Sequence, residues 1–245
     1  PFAYSHLAFD APTDSLAYSW AQPLGQTYNP LTPNQDSVLF VTGPPAPINY
    51  SSQSPLPGNP QLNPITGEIS FTTNVTGVFV TCIKVSSYRC GQLIAEVYRD
   101  VQVVLNNCSN YLLPNGQQNS PPIIDPPIGS QVWDTLTNPL TNLFSYETTI
   151  HAGEVVNFTV EANDADFITA NSLQNLILEV EGGQVNQNYA FGGQAYFNII
   201  SNTPGSVLGE FNWQTDCEHT GVTLDSTCNR STNLFTFILK AYDDF

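Results

Sequence analysis

Apolar side chains recur at every second position in strand-length runs of this chain. Between Glu154 and Ala162, for example, Val156, Phe158 and Val160 alternate with mostly polar residues. Because successive side chains of a strand point to opposite faces of a sheet, this period of two predicts strands with one buried face. The sequence therefore predicts an all-β protein, with further strands at Phe2–Phe9, Ser15–Trp20, Gly67–Thr72, Val78–Tyr88, Leu93–Leu105, Leu176–Val180, Ala195–Ile200, Gly209–Trp213 and Leu234–Tyr242.

The chain is long enough for two domains, and its composition changes near the middle. The 245 residues can bury two sandwich cores. Tandem prolines at Pro121-Pro122 and Pro126-Pro127 are typical of a stiff, extended connector. We predict an immunoglobulin-like β-sandwich at 1–108, a Pro/Asn-rich linker at 109–120 and a second sandwich at 121–245. We expect each sandwich to lack an edge strand, which is either truncated or supplied by another segment.

Charge narrows the range of partners. The chain has 21 acidic and 5 basic residues and a net charge of −16, which disfavours nucleic acid and anionic lipid. It contains no apolar run of membrane-spanning length, so we expect no direct membrane insertion. Three of the basic residues, Lys84, Arg89 and Arg99, lie on one predicted hairpin. They could pair with acidic neighbours, bind an anionic glycan, or keep an exposed hairpin soluble.

Two acidic loops are candidate cation sites, one in each predicted domain. Each follows a strand, and in the second domain the last strand ends at the same edge of the sandwich as the acidic loop. Converging carboxylates repel each other unless a hard cation lies among them, and Ca²⁺ prefers such oxygen ligands. The alternative is that short acidic residues simply favour turns. The predicted Ca²⁺ ligands are Asp10 and Asp14 in the first domain, and Glu161, Asp164, Asp166, Asp243 and Asp244 in the second.

The five cysteines do not form a metal-binding pattern, because none occurs in a Cys-x-x-Cys pair. Cys217 and Cys228 would close a short loop and are the predicted disulfide. Cys82 and Cys90 would be roughly 26 Å apart on one extended strand, which is too far for a bond between them. The pairing of Cys82, Cys90 and Cys108 stays open.

The sequence contains none of the motifs that mark hydrolases, metalloproteases or phosphate-binding enzymes, so we predict that the protein is not an enzyme. Aromatic residues could instead form a sugar-binding face. Trp20 and Trp213 lie within strand patterns, which favours the core. Trp133 lies in a less regular region and is the candidate ligand-binding residue.

Several segments together resemble a domain repeated in large surface adhesins of gliding bacteria. The resemblance covers most of the chain, and the order of the motifs is more telling than any one of them. The segments are Phe2–His6 with Asp10, Asp14–Leu16 and Tyr18-Ser19, Leu62–Phe71, Gly77–Val80, Tyr88–Ile94, Arg99–Val103, Ala152–Phe158, Gly209–Thr215 with Cys217 and His219, and Ala241–Asp244.

The resemblance implies tandem cadherin-like or PKD-like repeats of an extracellular, cell-surface protein. It implies export by the type IX secretion system and a role in adhesion or gliding motility. Its Asp-rich loop would carry over to Asp10 and Asp14, and to Asp164 and Asp166, although Pro12 and Ile168 stand where a further Asp is common. Bacteria of this group also glycosylate Asp-Ser/Thr-apolar or Asp-Ser/Thr-Thr triplets, which would place O-glycans on Ser15, Ser37, Thr135 and Ser226.

The function expected from these observations is structural and adhesive. The partners would be neighbouring domains of the same long chain and a surface or glycan ligand. The chain contains no Met and opens Pro1-Phe2, so we expect it to be a piece of a longer exported polypeptide. The alternative is a carbohydrate-binding module of a secreted multidomain protein, which an exposed aromatic face including Trp133 would favour.

Overall fold

A computed structural model describes most of the chain. The predicted sites at Ser37, Ser226, Cys228 and Asp244, together with Cys108, lie outside the described residues. The described residues are 2–11, 13–24, 50–106, 112–113, 115–169, 172–185, 193–220 and 233–243.

The protein is all-β, as the sequence predicts. In the described part of the chain every ladder between strands is antiparallel, and the strands form several separate sheets, as in immunoglobulin-like sandwiches. In the described ranges the only helical element is a single 3₁₀ turn at Cys217–Thr220. Those ranges therefore hold no helix with the length and hydropathy needed to cross a bilayer.

The chain forms two compact units. The first unit also includes the short segment Asn138–Leu143, which joins two strands of the second. Within the first unit, Asn138 Nδ2 donates to Glu68 Oε1 at 3.1 Å, and Thr72 Oγ1 donates to the Leu140 carbonyl at 3.3 Å. Unit 1 comprises Pro1–Asp10, Asp14–Asn107 and Asn138–Leu143, and unit 2 comprises Ala11–Thr13, Cys108–Thr137 and Phe144–Phe245.

The described residues of unit 1 form two three-stranded sheets. Their strand orders are β1-β4-β3 and β2-β5-β6. The strands are β1 (Phe2–Ser5), β2 (Asp14–Trp20), β3 (Gln61–Leu62), β4 (Glu68–Phe71), β5 (Gly77–Arg89) and β6 (Gln92–Leu105).

The long hairpin β5–β6 is predictable because its sequence is β-branched and alternating. A two-residue turn, Cys90-Gly91, joins the strands, and both residues have positive φ, 54° and 77°. This is the backbone of the tight turn that matches the twist of a hairpin. The pairing runs from Gly77↔Leu105 to Arg89↔Gln92, with one register shift near Ser87.

The core of unit 1 lies between inward-facing side chains of its two sheets. Ile69 and Ile83 are fully buried, and Phe71 is almost so. Gly67 packs against the ring of Tyr18, where an added Cβ would lie 2.5 Å from the ring. The buried cluster comprises Tyr18, Leu56, Ile69, Phe71, Ile83, Val85 and Leu105.

Unit 2 is built around a four-strand path, β15-β16-β11-β7, with β8 also paired to β11. Its described residues also form three two-stranded sheets, β9-β10, β12-β13 and β14-β17. The strands are β7 (Ile123–Ile124), β8 (Ile128–Gly129), β9 (Asp134–Thr137), β10 (Phe144–Glu147), β11 (Val155–Asn163), β12 (Phe167–Thr169), β13 (Ser172–Leu173), β14 (Leu176–Glu181), β15 (Ala195–Thr203), β16 (Ser206–Gln214) and β17 (Ile238–Asp243).

The core of unit 2 has an aromatic part and an aliphatic part. In the aromatic part Phe158 stacks on Phe211 with ring centroids 4.8 Å apart, and Phe237 meets Phe211 edge-on. The aliphatic part joins β11 and β16 to the β14–β17 pair. Its buried members are Val160, Ala162, Leu176, Leu178 and Val207, with Ile124, Phe197, Leu239 and Ala241 packed against them.

Candidate functional site

Three polar side chains occupy core-facing positions at one end of unit 2. Along β11 the buried residues Val156, Phe158, Val160 and Ala162 alternate, and Asp164 continues the same face just beyond the strand. Two other strand ends show the same pattern. The resulting polar end of the core, called here the core-end cluster, consists of Asp164, Gln174 before Leu176 and Leu178, and Asp243 after Leu239 and Ala241.

Backbone hydrogen bonds hold two members of the core-end cluster together through Gly205. The Asp164 N–H donates to the Gly205 carbonyl at 3.0 Å, and the Gly205 N–H donates to the Gln174 carbonyl at 2.7 Å. Gly205 has φ of +81°, and a Cβ there would lie 2.9 Å from the Asp164 carbonyl. Any larger residue would strain this junction, because L residues rarely adopt that backbone conformation.

The segment before β7 also reaches the core-end cluster. Asn119 accepts a hydrogen bond from Gln174 Nε2 at 2.7 Å and donates one from Nδ2 to Asp243 Oδ2 at 3.0 Å. The backbone and hydroxyl of Ser120 both donate to Asp166 Oδ2, at 2.6 and 2.8 Å. The predicted residues Asp164, Asp166 and Asp243 therefore belong to one connected network.

The charged groups that act on Asp164 are carboxylates. Burial raises the pKa of Asp164, and the negative charges of Asp166 and Asp243 raise it further against the lowering effect of a bond from the Asp166 N–H. That N–H donates to Asp164 Oδ1 at 2.8 Å. The other oxygen, Asp164 Oδ2, is buried and has no hydrogen-bond partner in the described part of the chain. The ionised carboxylate is therefore under-compensated.

Gln174 adds a second oxygen of the same kind. Its side chain is fully buried, and Oε1 has no hydrogen-bond partner within the described ranges. The two unmatched oxygens, Asp164 Oδ2 and Gln174 Oε1, lie in the network of the Asp166 and Asp243 carboxylates and match the oxygen chemistry of Ca²⁺, which takes carboxylate and amide oxygens together. The described ranges contain no ready-made group of three or more His, Cys, Asp or Glu ligands. The residues therefore fit a cation only as a mixed set of carboxylate and amide oxygens.

Glu161 does not belong to this network, contrary to the prediction. It precedes Asp164 by an odd number of positions on β11, so its side chain lies on the opposite face of the strand from Val160 and Ala162. There Glu161 Oε1 accepts a hydrogen bond from the Ser206 hydroxyl. Glu161 thus lies on one face of β11, whereas Asp164 continues the other face beyond the end of the strand.

The acidic loop of unit 1 has a different partner. Arg89 lies directly across from Asp14 in the β2–β5 ladder and binds both carboxylate oxygens, at 2.7 and 2.9 Å. The Asp14 side chain is only 4% exposed, and Asp10 adds a further negative charge near Arg89. The Arg89 guanidinium therefore compensates the charge of the buried Asp14 carboxylate.

The predicted ligand residue Trp133 packs against the core. Its ring meets Phe158 edge-on at 5.2 Å and contacts the aromatic cluster of unit 2. Its indole nitrogen is buried and has no partner in the described residues. The structure therefore gives Trp133 a packing role and not the position of a surface platform.

Two of the predicted glycosylation sites fall on described strands. Thr135 on β9 is exposed. Ser15 on β2 is half-buried, and its hydroxyl donates to the Tyr88 carbonyl at 3.4 Å. Thr135 is thus the more accessible of these two hydroxyls.

The predicted Cys217–Cys228 disulfide is not formed. Cys217 is a free, exposed thiol at the start of the 3₁₀ turn, and the neighbouring His219 is buried against Trp213. Cys82 is free and buried, as expected for a residue not bonded to Cys90, which is disulfide-bonded.

Sequence reasoning missed Gln174 and Asn119, the two amides of the core-end cluster. Gln174 carries no charge, but it lies two positions before the buried Leu176 and four before the buried Leu178. A polar residue at an inward-facing position of an otherwise apolar face was the available signal. Asn119 had no such signal, because it lies in the Pro-rich segment and reaches the site through tertiary contacts.

Comparison with known proteins gives no family for this chain: no protein-family model, curated protein or solved structure matches it.

Proposed function

We propose that this protein is a non-catalytic structural and adhesive segment of a bacterial cell-surface protein. The observation that carries the proposal is the division of the chain into two compact β units, each with its own apolar core. The resemblance of several segments to the repeats of gliding-bacteria adhesins supports the extracellular, surface-exposed setting. Adhesion during gliding and export by the type IX system are the roles that the resemblance implies.

Long antiparallel ladders support a mechanical role. β11 and β16 pair over all nine residues of each strand, and β5 and β6 pair over most of their 13 and 14 residues. A ladder that is loaded along its strands breaks its hydrogen bonds together, so its resistance to force exceeds that of single bonds. Such units can transmit tension between a cell and its ligand.

A divalent cation at the core-end cluster would strengthen unit 2. Asp164 would supply a carboxylate oxygen, and the cation would offset the repulsion between Asp164 and the carboxylates of Asp166 and Asp243. Ca²⁺ is the ion that this oxygen chemistry favours. Its role would be structural, because it would join the ends of β11 and β17 to the segment that holds Asn119 and Ser120.

The carbohydrate-binding alternative has no specific support. Its best candidate residue, Trp133, packs on Phe158 in the aromatic core. A glycan-coated surface is one target to which the protein could still adhere.

Microspheres that carry the intact protein would test the adhesive role. Under flow, the microspheres should be retained on glass or on a polysaccharide-coated surface more strongly than microspheres that carry the Phe211→Ala variant, which lacks a fully buried core ring. An equally acidic, unrelated protein serves as the charge control. Retention no greater than that of either control would contradict the proposal.

Force spectroscopy of the tethered chain would test the mechanical role. Unit 2 should unfold in one event that releases roughly 400 Å of contour length, given about 3.6 Å per extended residue. A gradual extension without such an event would contradict the proposal that a folded unit resists force.

A further inference from the structure

We infer that the side-chain amide of Gln174 supplies an interior oxygen ligand to the cation that the core-end cluster binds. This inference rests on the cation site proposed above. It assigns a ligand that no acidic motif marks, and it makes the site a mixed carboxylate and amide centre.

The burial of Gln174 is the first reason. The residue is fully buried, yet Oε1 has no hydrogen-bond partner among the described residues. Buried polar groups are nearly always paired, and an unpaired buried acceptor is costly. A fully buried glutamine at the end of an apolar face therefore requires a positive or proton-donating partner for its oxygen.

The orientation of the amide is the second reason. Gln174 Nε2 donates to Asn119 Oδ1 at 2.7 Å, and Asn119 Nδ2 in turn donates to Asp243 Oδ2 at 3.0 Å. This chain of donors fixes which end of the Gln174 amide carries the nitrogen. The oxygen is left as the unmatched end, within the same network as the Asp243 carboxylate.

The position of Asp164 is the third reason. Asp164 and Gln174 both bond to the backbone of Gly205, and the Gln174 N–H donates to the Asp166 carbonyl at 3.2 Å. The two unmatched oxygens, Asp164 Oδ2 and Gln174 Oε1, therefore belong to adjoining backbone segments. Two acceptors cannot satisfy each other, whereas one cation can bind both.

Calcium suits this set better than magnesium or zinc. Ca²⁺ takes six to eight oxygen ligands in flexible geometry, including amide carbonyls, whereas Mg²⁺ demands a near-ideal octahedron and keeps several waters. Zn²⁺ favours Cys and His ligands. We therefore expect selectivity for Ca²⁺ over both ions.

Calorimetric titration of the intact chain with CaCl₂ tests the inference. Gln174→Met keeps the length of the side chain and removes its oxygen, so the dissociation constant should rise at least tenfold. Gln214→Met is the matched control, because Gln214 pairs with Val155 at the opposite end of β11. The control should bind Ca²⁺ within about twofold of the unmodified protein. Melting curves in chelator establish that both variants are folded.

Gln174→Glu separates a ligand from a structural role. This variant keeps an oxygen and loses the Nε2 donor to Asn119, so it should bind Ca²⁺ at least as tightly as the unmodified protein if the oxygen is a ligand. If Gln174 acted only by holding Asn119, Gln174→Glu would bind as weakly as Gln174→Met. That result, or unchanged binding by Gln174→Met, would overturn the inference.

The same titration distinguishes this inference from the proposals on which it rests. Binding that is lost in Asp164→Asn but unchanged in Gln174→Met would leave the cation site standing and remove Gln174 as a ligand. No binding by the unmodified chain would remove both the site and the ligand. The adhesive role is tested independently by microsphere retention.

Discussion

The two acidic loops of this protein differ in the charged groups that surround their buried aspartates. In unit 1, Arg89 binds both oxygens of the buried Asp14 carboxylate. In unit 2, the buried Asp164 meets two further carboxylates, Asp166 and Asp243, and one of its oxygens has no partner in the described part of the chain. The two acidic loops thus differ in whether a cationic side chain of the protein pairs with the buried aspartate.

This difference shows that an acidic loop alone does not predict metal dependence. A guanidinium stays charged at every accessible pH and is covalently present, so the Asp14 carboxylate of unit 1 has a permanent cationic partner. A cluster of carboxylates at the end of a core is stable only when a proton or a metal ion compensates it. We therefore expect unit 2 alone to respond to calcium.

The prediction with the largest expected effect concerns whether the two units unfold independently of each other. Phe211→Ala should destabilise unit 2 by about 3–5 kcal/mol, and Phe71→Ala should do the same to unit 1, since both rings are almost completely buried. Each variant should move only its own calorimetric transition. Alkylation of Cys82 reports the opening of unit 1, because this thiol is fully buried and burial raises its pKa. Equal shifts of both transitions would show one cooperative core.

Acid should weaken unit 1 through His6. This side chain is 5% exposed, neither ring nitrogen has a partner in the described residues, and the Arg99 guanidinium donates to its carbonyl at 2.8 Å. Burial, and then the charge of Arg99, lower the pKa of His6 from 6.5 to about 4. The unfolded chain therefore binds the proton first, and stability present above pH 6.5 falls as the pH drops toward 4.

The loss for unit 1 amounts to about 3 kcal/mol across that window, because one pKa unit corresponds to about 1.36 kcal/mol. Denaturant unfolding between pH 7 and pH 4 measures it. His6→Phe, which cannot titrate, is the matched control and should reduce the slope in this window. An identical slope in the control would assign the acid sensitivity to other groups.

Replacing one buried aspartate in each unit by asparagine should change the melting temperatures of the two units in opposite directions. Asp14→Asn removes the charged partner of Arg89 and should lower the melting temperature of unit 1. Asp164→Asn removes a buried charge that faces two carboxylates and should raise the melting temperature of unit 2 in chelator. It should also abolish the response of that unit to calcium. Shifts of the same sign in chelator would refute the contrast between the loops.

The period of two predicts most of the fold and part of the site. It indicates the strands and places Asp164 and Asp243 at the ends of core-facing runs. It also shows in retrospect why Glu161 was a wrong prediction, since that residue lies on the opposite face of β11. Gln174 was missed because an amide carries no charge to draw attention to it.

The alternation of apolar side chains does not predict contacts between segments that are distant in the sequence. Arg89 meets Asp14 only because the β2–β5 register places them opposite each other, and a single sequence does not specify this register. The same holds for Asn119, which reaches Gln174 and Asp243 across long stretches of chain. Trp133 was assigned to the surface because the sequence around it is irregular, whereas its ring packs on Phe158.

Calorimetry of the intact protein in CaCl₂ and in chelator tests the contrast between the units most directly. At a calcium concentration about one hundred times the dissociation constant, the unfolding free energy of unit 2 should rise by about 2.7 kcal/mol. For a unit of this size that raises the melting temperature by roughly 10 °C, while the transition of unit 1 stays in place. Coincident melting of unit 2 in calcium and in chelator, or an equal shift of unit 1, would contradict the account.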